Sequence, residues 1–160
     1  MSEMTENTDD ATEEAEGAKD EKYLIFSIQG GQFSFPSRLI SEIALFDTVY
    51  PLPLMPSYVL GVINRYSIPY ALFDIGLLLF NSPSPRAKVL VLKDDIDRIA
   101  FLIDDVIGIE DLNQEDLLKV ERSVESDMVE VVSASFNWNG TDVFVLDIQR
   151  ILANTTVEAV

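Results

Sequence analysis

From Tyr23 onward the chain alternates short apolar segments, rich in Val, Ile, Leu and Phe, with clusters of turn residues. Apolar runs of about four to eight residues bounded by Gly, Pro, Asn, Asp or Ser read as strands. Tyr23–Ile28 predicts one, Gly30-Gly31 a turn, and Gln32–Phe35 a second strand that Pro36 stops. Leu39, Ile40, Ile43 and Ala44 recur at helical spacing behind Ser37, which predicts a short helix capped by that serine. Pro51, Pro53 and Pro56 then punctuate a link whose pre-proline residues must be extended. Val59–Asn64 and Ile68–Phe73 are expected to pair as a hairpin around Asn64–Ser67. Asp74 is placed to cap a short helix through Phe80, and Asn81–Pro85 to form a loop.

The second half repeats the manner. Ala87–Lys93 and Arg98–Asp104 read as strands joined by the polar turn Asp94–Asp97, and Val106–Glu110 as another strand. Asn113 is a cap for a brief helix with Glu115 and Asp116 in its first turn, where acids suit the helix dipole. Met128–Phe136 and Thr141–Leu146 form a hairpin around Asn139-Gly140, a strong turn signal. Asp147 then starts a final helix through Ile148, Ile151 and Leu152. The run from Leu72 to Leu79 matches the run from Val145 to Leu152 in residue type, each a hairpin end whose Asp begins a helix. Duplication and two ordinary strand-to-helix junctions both account for that echo. About ten short strands with three brief helices predict a mostly β protein, a barrel or sandwich architecture.

Composition narrows the function. The chain has no cysteine and no histidine, which removes thiolate metal sites, disulfides, the commonest general base and the commonest metal ligand. The net charge is −17, from 28 acidic and 11 basic residues. Nucleic acid and anionic lipid are both bound through Lys and Arg, so neither is an expected partner. No apolar run approaches the ~20 residues that span a bilayer, so no direct membrane insertion is expected. The first residues carry no basic and apolar leader pattern, and a cytoplasmic location is expected. Residues 1–22 hold nine acids against Lys19 and Lys22, with Met and Ala as their apolar side chains. Such a stretch buries too little surface to offset ordering, which predicts a disordered acidic tail, either a partner-tuning arm or a plain terminus. Residues 154–160 are expected to form a short C-terminal tail.

Candidate chemistry is thin. No Gly-rich phosphate loop is present. Asp94-Asp95-Ile96-Asp97 lacks the glycine and the distant bidentate Glu of a calcium loop, so a solvated turn is expected. Asp104 and Asp105 are strand neighbours that point to opposite faces, which disfavours a proton-sharing dyad. No metal or other cofactor is implied. What remains is a set of apolar side chains at turns, Leu54, Met55, Tyr58, Tyr66 and Trp138, which either anchor a partner or fold back onto the core.

Four stretches carry a family likeness. Tyr58-Val59-Leu60-Gly61-Val62-Ile63-Asn64, with the strand end at Asp74-Ile75, resembles the CheW family of bacterial chemotaxis coupling proteins. In that family a Gly-Val-Ile-Asn segment precedes a hairpin and a strand ending in Ile/Val-Asp-Leu, at the spacing found here between Asn64 and Asp74. Ile40-Ser41-Glu42-Ile43 is similar to the family's Val-x-Glu-Ile, and Arg98 to Val106 to its Val-Gly-Leu-Val-Val-Asp-x-Val segment. The likeness covers residues 23–153. It implies two small five-stranded SH3-like barrels packed together, with short helices between. It also implies a non-catalytic adaptor that joins the cytoplasmic tip of a chemoreceptor to the regulatory domain of a CheA-type histidine kinase.

Carried over by position, the resemblance implies receptor contacts at Ile40, Gly61, Tyr66, Ala100 and Ile109, and kinase contacts at Leu39, Glu42 and Arg65. The family usually has Leu-Arg-Gly after the asparagine, where this chain has Arg65, Tyr66 and Ser67. The position of the coupling arginine is thus Tyr66, with Arg65 one place earlier. A one-place shift on a strand moves a side chain to the other face. The family's strand proline is also displaced, with Pro69 present and Ala71 in its usual place. The departures leave a second reading open, a CheW-like module re-targeted to another scaffold protein without kinase coupling.

Overall fold

The computed structural model describes residues 20–120 and 130–159. Of the expected disordered acidic tail, residues 1–22, positions 1–19 lie outside the described residues, as do Met128 and Val129 at the start of one expected strand, whereas Glu21 and Lys22 are corrected to the first strand, where they pair with Leu112 and Asp111.

Eleven strands are described: β1 (Glu21–Ile28), β2 (Gly31–Pro36), β3 (Ile40–Leu45), β4 (Val59–Arg65), β5 (Ile68–Phe73), β6 (Lys88–Leu92), β7 (Ile99–Ile103), β8 (Asp105–Leu112), β9 (Leu118–Lys119), β10 (Val132–Trp138) and β11 (Thr141–Leu146). Two α-helices, α1 (Ile75–Phe80) and α2 (Ile148–Ala159), follow β5 and β11. The backbone of α2 runs through most of the expected C-terminal tail. The strands form two sheets, ordered β8-β1-β2-β11-β10-β9 and β3-β6-β7-β5-β4. They are the two small barrels expected, one of five strands and the other of six with the two-residue β9 included.

The two sheets share one plan. Each has an edge strand, an antiparallel hairpin, a parallel contact and a second hairpin: β3, then β6–β7, then β7 beside β5, then β5–β4. In the other sheet the same places are taken by β8, β1–β2, β2 beside β11, and β11–β10. One barrel is built from a continuous stretch, β3 to β7. The other is built from β8 onward and completed by the N-terminal hairpin. The echo falls at equivalent places, β5–α1 and β11–α2. Asp74 Oδ1 accepts from Leu77 N at 3.0 Å and Asp147 Oδ1 from Arg150 N at 3.2 Å, so both aspartates cap their helices.

The core explains why several strands are apolar on both faces. Ile63, Tyr70, Leu72, Val89, Val91, Ala100 and Leu102 fill the β3–β7 barrel. Tyr23, Ile25, Leu112, Phe136, Val143 and Val145 fill the other. A third, larger cluster lies where the barrels meet, including Phe26, Phe33, Phe35, Phe73, Leu90 and Phe101. Every residue of β7 is buried, because Ala100 and Leu102 face into the barrel while Ile99, Phe101 and Ile103 face the other barrel.

One expected element is corrected. Ser37–Leu39 makes only a single 3-10 turn, with no side-chain cap, and Ile40–Ala44 belongs to a strand and not to a helix. The spacing of Leu39, Ile40, Ile43 and Ala44 fits a helix, but burial in β3 alternates with period two, Ile40, Glu42 and Ala44 inward. Pairing with β6, from Ile40–Leu92 to Leu45–Lys88, outweighs the local pattern. Gly30-Gly31 is also shifted by one: the turn residues are Gln29 (φ 50) and Gly30 (φ 86).

An ion pair joins the barrels at the surface: Lys88 Nζ on β6 lies 2.7 Å from Asp105 Oδ1 on β8. Lys88 and the Val106 amide together hold the Asp105 carboxyl below the ordinary aspartate range. A carboxyl depressed in the folded state stabilises above its unfolded value of about 3.9 and loses that contribution as pH falls through its folded value. Asp105→Asn is therefore expected to lower the melting temperature at pH 6, with the difference from wild type shrinking as pH falls below about 3.9 and vanishing only once the folded-state carboxyl is itself protonated. Melts between pH 2.5 and 6 check it; a difference undiminished at the acid end excludes the carboxylate as its cause.

Candidate partner-binding site

The β4–β5 hairpin turns through Tyr66 and Ser67, both in the left-handed region at φ 53 and 68. Consecutive positive φ values are a type I′ turn, which favours Asn-Gly and penalises a tyrosine-serine pair. At the equivalent point of the β10–β11 hairpin the chain does use Asn139-Gly140, at φ 54 and 83. Ser67→Gly is expected to stabilise the protein by about 0.5–1 kcal/mol, the relief of left-handed strain less the entropy glycine adds to the unfolded chain. That is roughly 2–5 °C in melting temperature. An unchanged or lower melt rejects a strained turn.

The turn projects Tyr66 outward, with 81% of its surface exposed. Its neighbour points elsewhere. Arg65 donates to Glu42 twice, Nε to Oε2 at 3.1 Å and Nη2 to Oε1 at 3.0 Å, and its guanidinium carbon lies 5.1 Å from the Tyr66 ring centroid. Glu42 is on β3 and Arg65 ends β4, the two end strands of this sheet, so the bidentate pair closes the barrel between them. Hydrogen bonding to the Glu42 carboxylate is the chief reason the guanidinium is held even more firmly protonated than usual. Nearby, Tyr50 and Val62 exchange two backbone hydrogen bonds of 2.8 Å, a second closure of the same seam. Beside this seam is a cleft of about 120 Å³ whose lining includes Leu45, Tyr50, Asn64 and Arg65. Leu45 and Tyr50 are themselves 74% and 56% exposed.

The positions carried over from the family fall into different places. Glu42, Arg65 and Tyr66 come together. Ile40 pairs with Leu92 and is half-buried against the shared core. Leu39 lines a separate cleft of about 740 Å³ at the foot of the other barrel, with Tyr23, Pro36, Leu117, Val145 and Ile148 among its neighbours. Ile109 is exposed on β8, the edge strand of the other sheet, two places from the exposed Ile107. Two positions present no surface. Ala100 is fully buried inside its barrel, and Gly61 is buried beneath the Tyr50 backbone. An alternating strand in a two-sided core leaves no outward place for Ala100, so neither residue forms part of an exposed groove here.

Among the turn residues expected to anchor a partner or fold back, Leu54, Met55 and Tyr66 are exposed and Tyr58 is buried. Trp138 lies over Gly108 and donates from Nε1 to Glu110 Oε1 at 3.1 Å, which covers the edge of β8. Leu45 and Tyr50 were missed by sequence reasoning. Leu45 was hidden by the helical reading of Ile40–Ala44, since only a period-two reading puts it outward with Ser41 and Ile43. The two adjacent carboxyls expected not to form a dyad have separate partners: Asp104 Oδ2 accepts from the Gln29 amide at 2.8 Å and Asp105 pairs with Lys88.

A comparison with curated protein sequences gives no significant match. Among solved structures, the scaffolding protein TtCheW from Thermoanaerobacter tengcongensis superposes with a TM-score of 0.71 at 11% identity, covering 80% of this chain and 89% of that one. At that identity the likeness speaks for the fold alone. The sequence profile of the CheW-like domain matches residues 22–156, nearly the whole chain and all four stretches that carried the resemblance, so the chain belongs to the CheW-like domain family.

Proposed function

We propose that this protein is a non-catalytic adaptor that couples chemoreceptors to a CheA-type histidine kinase in a bacterial chemosensory array. The observation that carries the reading is the match of residues 22–156 to the CheW-like domain, on two barrels that each present an apolar surface of their own. One surface is Tyr66 with Leu45 and Tyr50; the other is Ile107 and Ile109 on β8. Two separated docking faces on one rigid core suit a bridge better than a single-ligand receptor. The face at Tyr66, which the resemblance gives to the receptor, is reassigned to the kinase regulatory domain because the kinase positions Glu42 and Arg65 stand beside it; Leu39, in its separate cleft on the neighbouring barrel, is a further kinase position. The Ile109 face is assigned to a receptor tip, whose helical hairpin would offer apolar anchors. A cytoplasmic position beside membrane receptors follows from that role, and no helix among the described residues is long and apolar enough to cross a membrane itself.

A specific observation favours a second reading. Tyr66 holds the place of the family's coupling arginine, and the displaced Arg65 is turned inward to Glu42. A CheW-like module re-targeted to a different scaffold would show such a change. Titration with the purified regulatory domain of a CheA-type kinase from the same organism separates the two. Saturable binding supports coupling, and none at 100 µM-scale protein (a Kd weaker than about 10⁻⁴ M, or −5.5 kcal/mol) supports re-targeting.

A further inference from the structure

We infer that Gln29 is a latch that fixes the angle between the two barrels and, on the reading of the Tyr66 and Ile109 faces as partner surfaces, the relation between those faces. The chain passes back from the β3–β7 barrel to the other at Asp104, the single residue between β7 and β8. The Asp104 amide donates to Ser27 O and its Oδ2 accepts from the Gln29 amide, both at 2.8 Å, so the N-terminal hairpin grips the crossover. The Gln29 side chain reaches the opposite barrel's α1 and the loop after it. Its Nε2 donates to Ser82 O at 2.6 Å and to Ser84 Oγ at 3.0 Å. Ser84 donates in turn to Asp74, from Oγ to Oδ1 at 2.6 Å and from its amide to Oδ2 at 2.9 Å. Asp74 and Ser84 are both buried, so the chain of bonds ends on an interior carboxylate.

The arrangement is held at a cost. Gln29 has φ 50, in a turn where glycine or asparagine fits better. Neither could make this bridge, since glycine has no side chain and asparagine is a methylene shorter. Asp104 Oδ1 is buried with no partner among the described residues. Backbone strain and an unsatisfied buried oxygen persist only where the surroundings over-determine them. Gly76 on α1 makes the room: a Cβ there would stand 2.2 Å from Ser84 Oγ and 2.6 Å from Gln29 Nε2. The bonds also have one direction. Ser82 O and the Asp74 carboxylate only accept, so Ser84 Oγ gives its proton to Asp74 and receives one from the Gln29 amide. The aromatic core between the barrels holds them together without directional preference, and the bonded chain supplies the angle.

Gln29→Glu tests this, because it keeps the shape and sets an acceptor against Ser82 O. Gln29→Gly is the second variant, since it removes the bridge together with the left-handed strain. In the wild type, residual dipolar couplings from the two barrels should fit one alignment tensor with the barrels in this orientation. In both variants the barrels should reorient by roughly 10° or more. The Ser84 amide should exchange at least about tenfold faster, while amides inside β7 and β11 keep their protection. Couplings unchanged in both variants, or Ser84 exchange within about threefold of wild type, overturn the latch. The kinase regulatory domain and a receptor-tip fragment should each bind Gln29→Glu within about threefold of wild type, whereas assembly of all three should fall at least fivefold. Undiminished three-part assembly on reoriented barrels overturns the bearing of the latch on the two faces. If the wild type binds neither partner, the functional reading fails separately, and the couplings still decide the latch.

Discussion

Tyr66→Ala is expected to leave the fold nearly intact and to weaken partner binding at least tenfold. The side chain is 81% exposed at the tip of a hairpin, with the Arg65 guanidinium 5.1 Å from its ring centroid. Losing an exposed cation–π contact costs about 0.5–1 kcal/mol, and Ala and Tyr suffer alike from the left-handed backbone, so the melt should move only a few degrees. A buried aromatic anchor truncated at an interface commonly costs ≥ 2 kcal/mol, which is about thirtyfold in affinity. Calorimetric titration and a thermal melt on the same sample give both numbers. A collapse of the melt would make Tyr66 a structural residue and remove it from the partner surface.

Tyr66→Arg separates the two functional readings. In a coupling protein that tolerates the exchange, restoring the family residue should preserve or strengthen binding to a CheA-type kinase. In a re-targeted module it should do nothing for that kinase and weaken the true partner. The new arginine would also sit beside Arg65, whose charge is already neutralised by Glu42, so repulsion between the two is not expected to obscure the result.

Much of the fold was legible because the hairpin turns at Gly30 and at Asn139-Gly140 carry local turn chemistry and both helix starts carry an aspartate. Asn139-Gly140 and Asp74 are positions where one residue type does a job that few others do. The helical reading of Ile40–Ala44 failed because apolar spacing at 39, 40, 43 and 44 fits both periods, and only the β6 partner decides between them. The site was less legible than the fold. The Glu42–Arg65 pair spans two strands that meet only when the barrel closes, which no local pattern records. The carried-over positions also mixed surface with interior: Ile109 and Tyr66 are exposed, whereas Ala100 and Gly61 are buried because likeness of position says nothing about which face of a strand is covered.

Gly61 is where a substitution should damage the protein most, and through the fold alone. Its φ of +143 is a conformation that side-chain-bearing residues rarely adopt, and a Cβ there would collide with the Tyr50 carbonyl. That carbonyl cannot retreat, because it accepts the Val62 amide at 2.8 Å while the Tyr50 amide donates to the Val62 carbonyl at the same distance. Backbone strain of about 1–3 kcal/mol adds to an overpacking cost of about 1–3 kcal/mol. Gly61→Ala should therefore lower the melting temperature by roughly 10 °C or more. Gly30→Ala is the control, since Gly30 also has a positive φ (+86) but open space around it, and only the strain of about 1–2 kcal/mol applies. If Gly61→Ala melts no lower than Gly30→Ala, the close crossing of Tyr50 over β4 does not exist in solution. If instead it melts far lower yet binds normally at temperatures where it is folded, Gly61 serves the barrel seam and makes no contact with a partner.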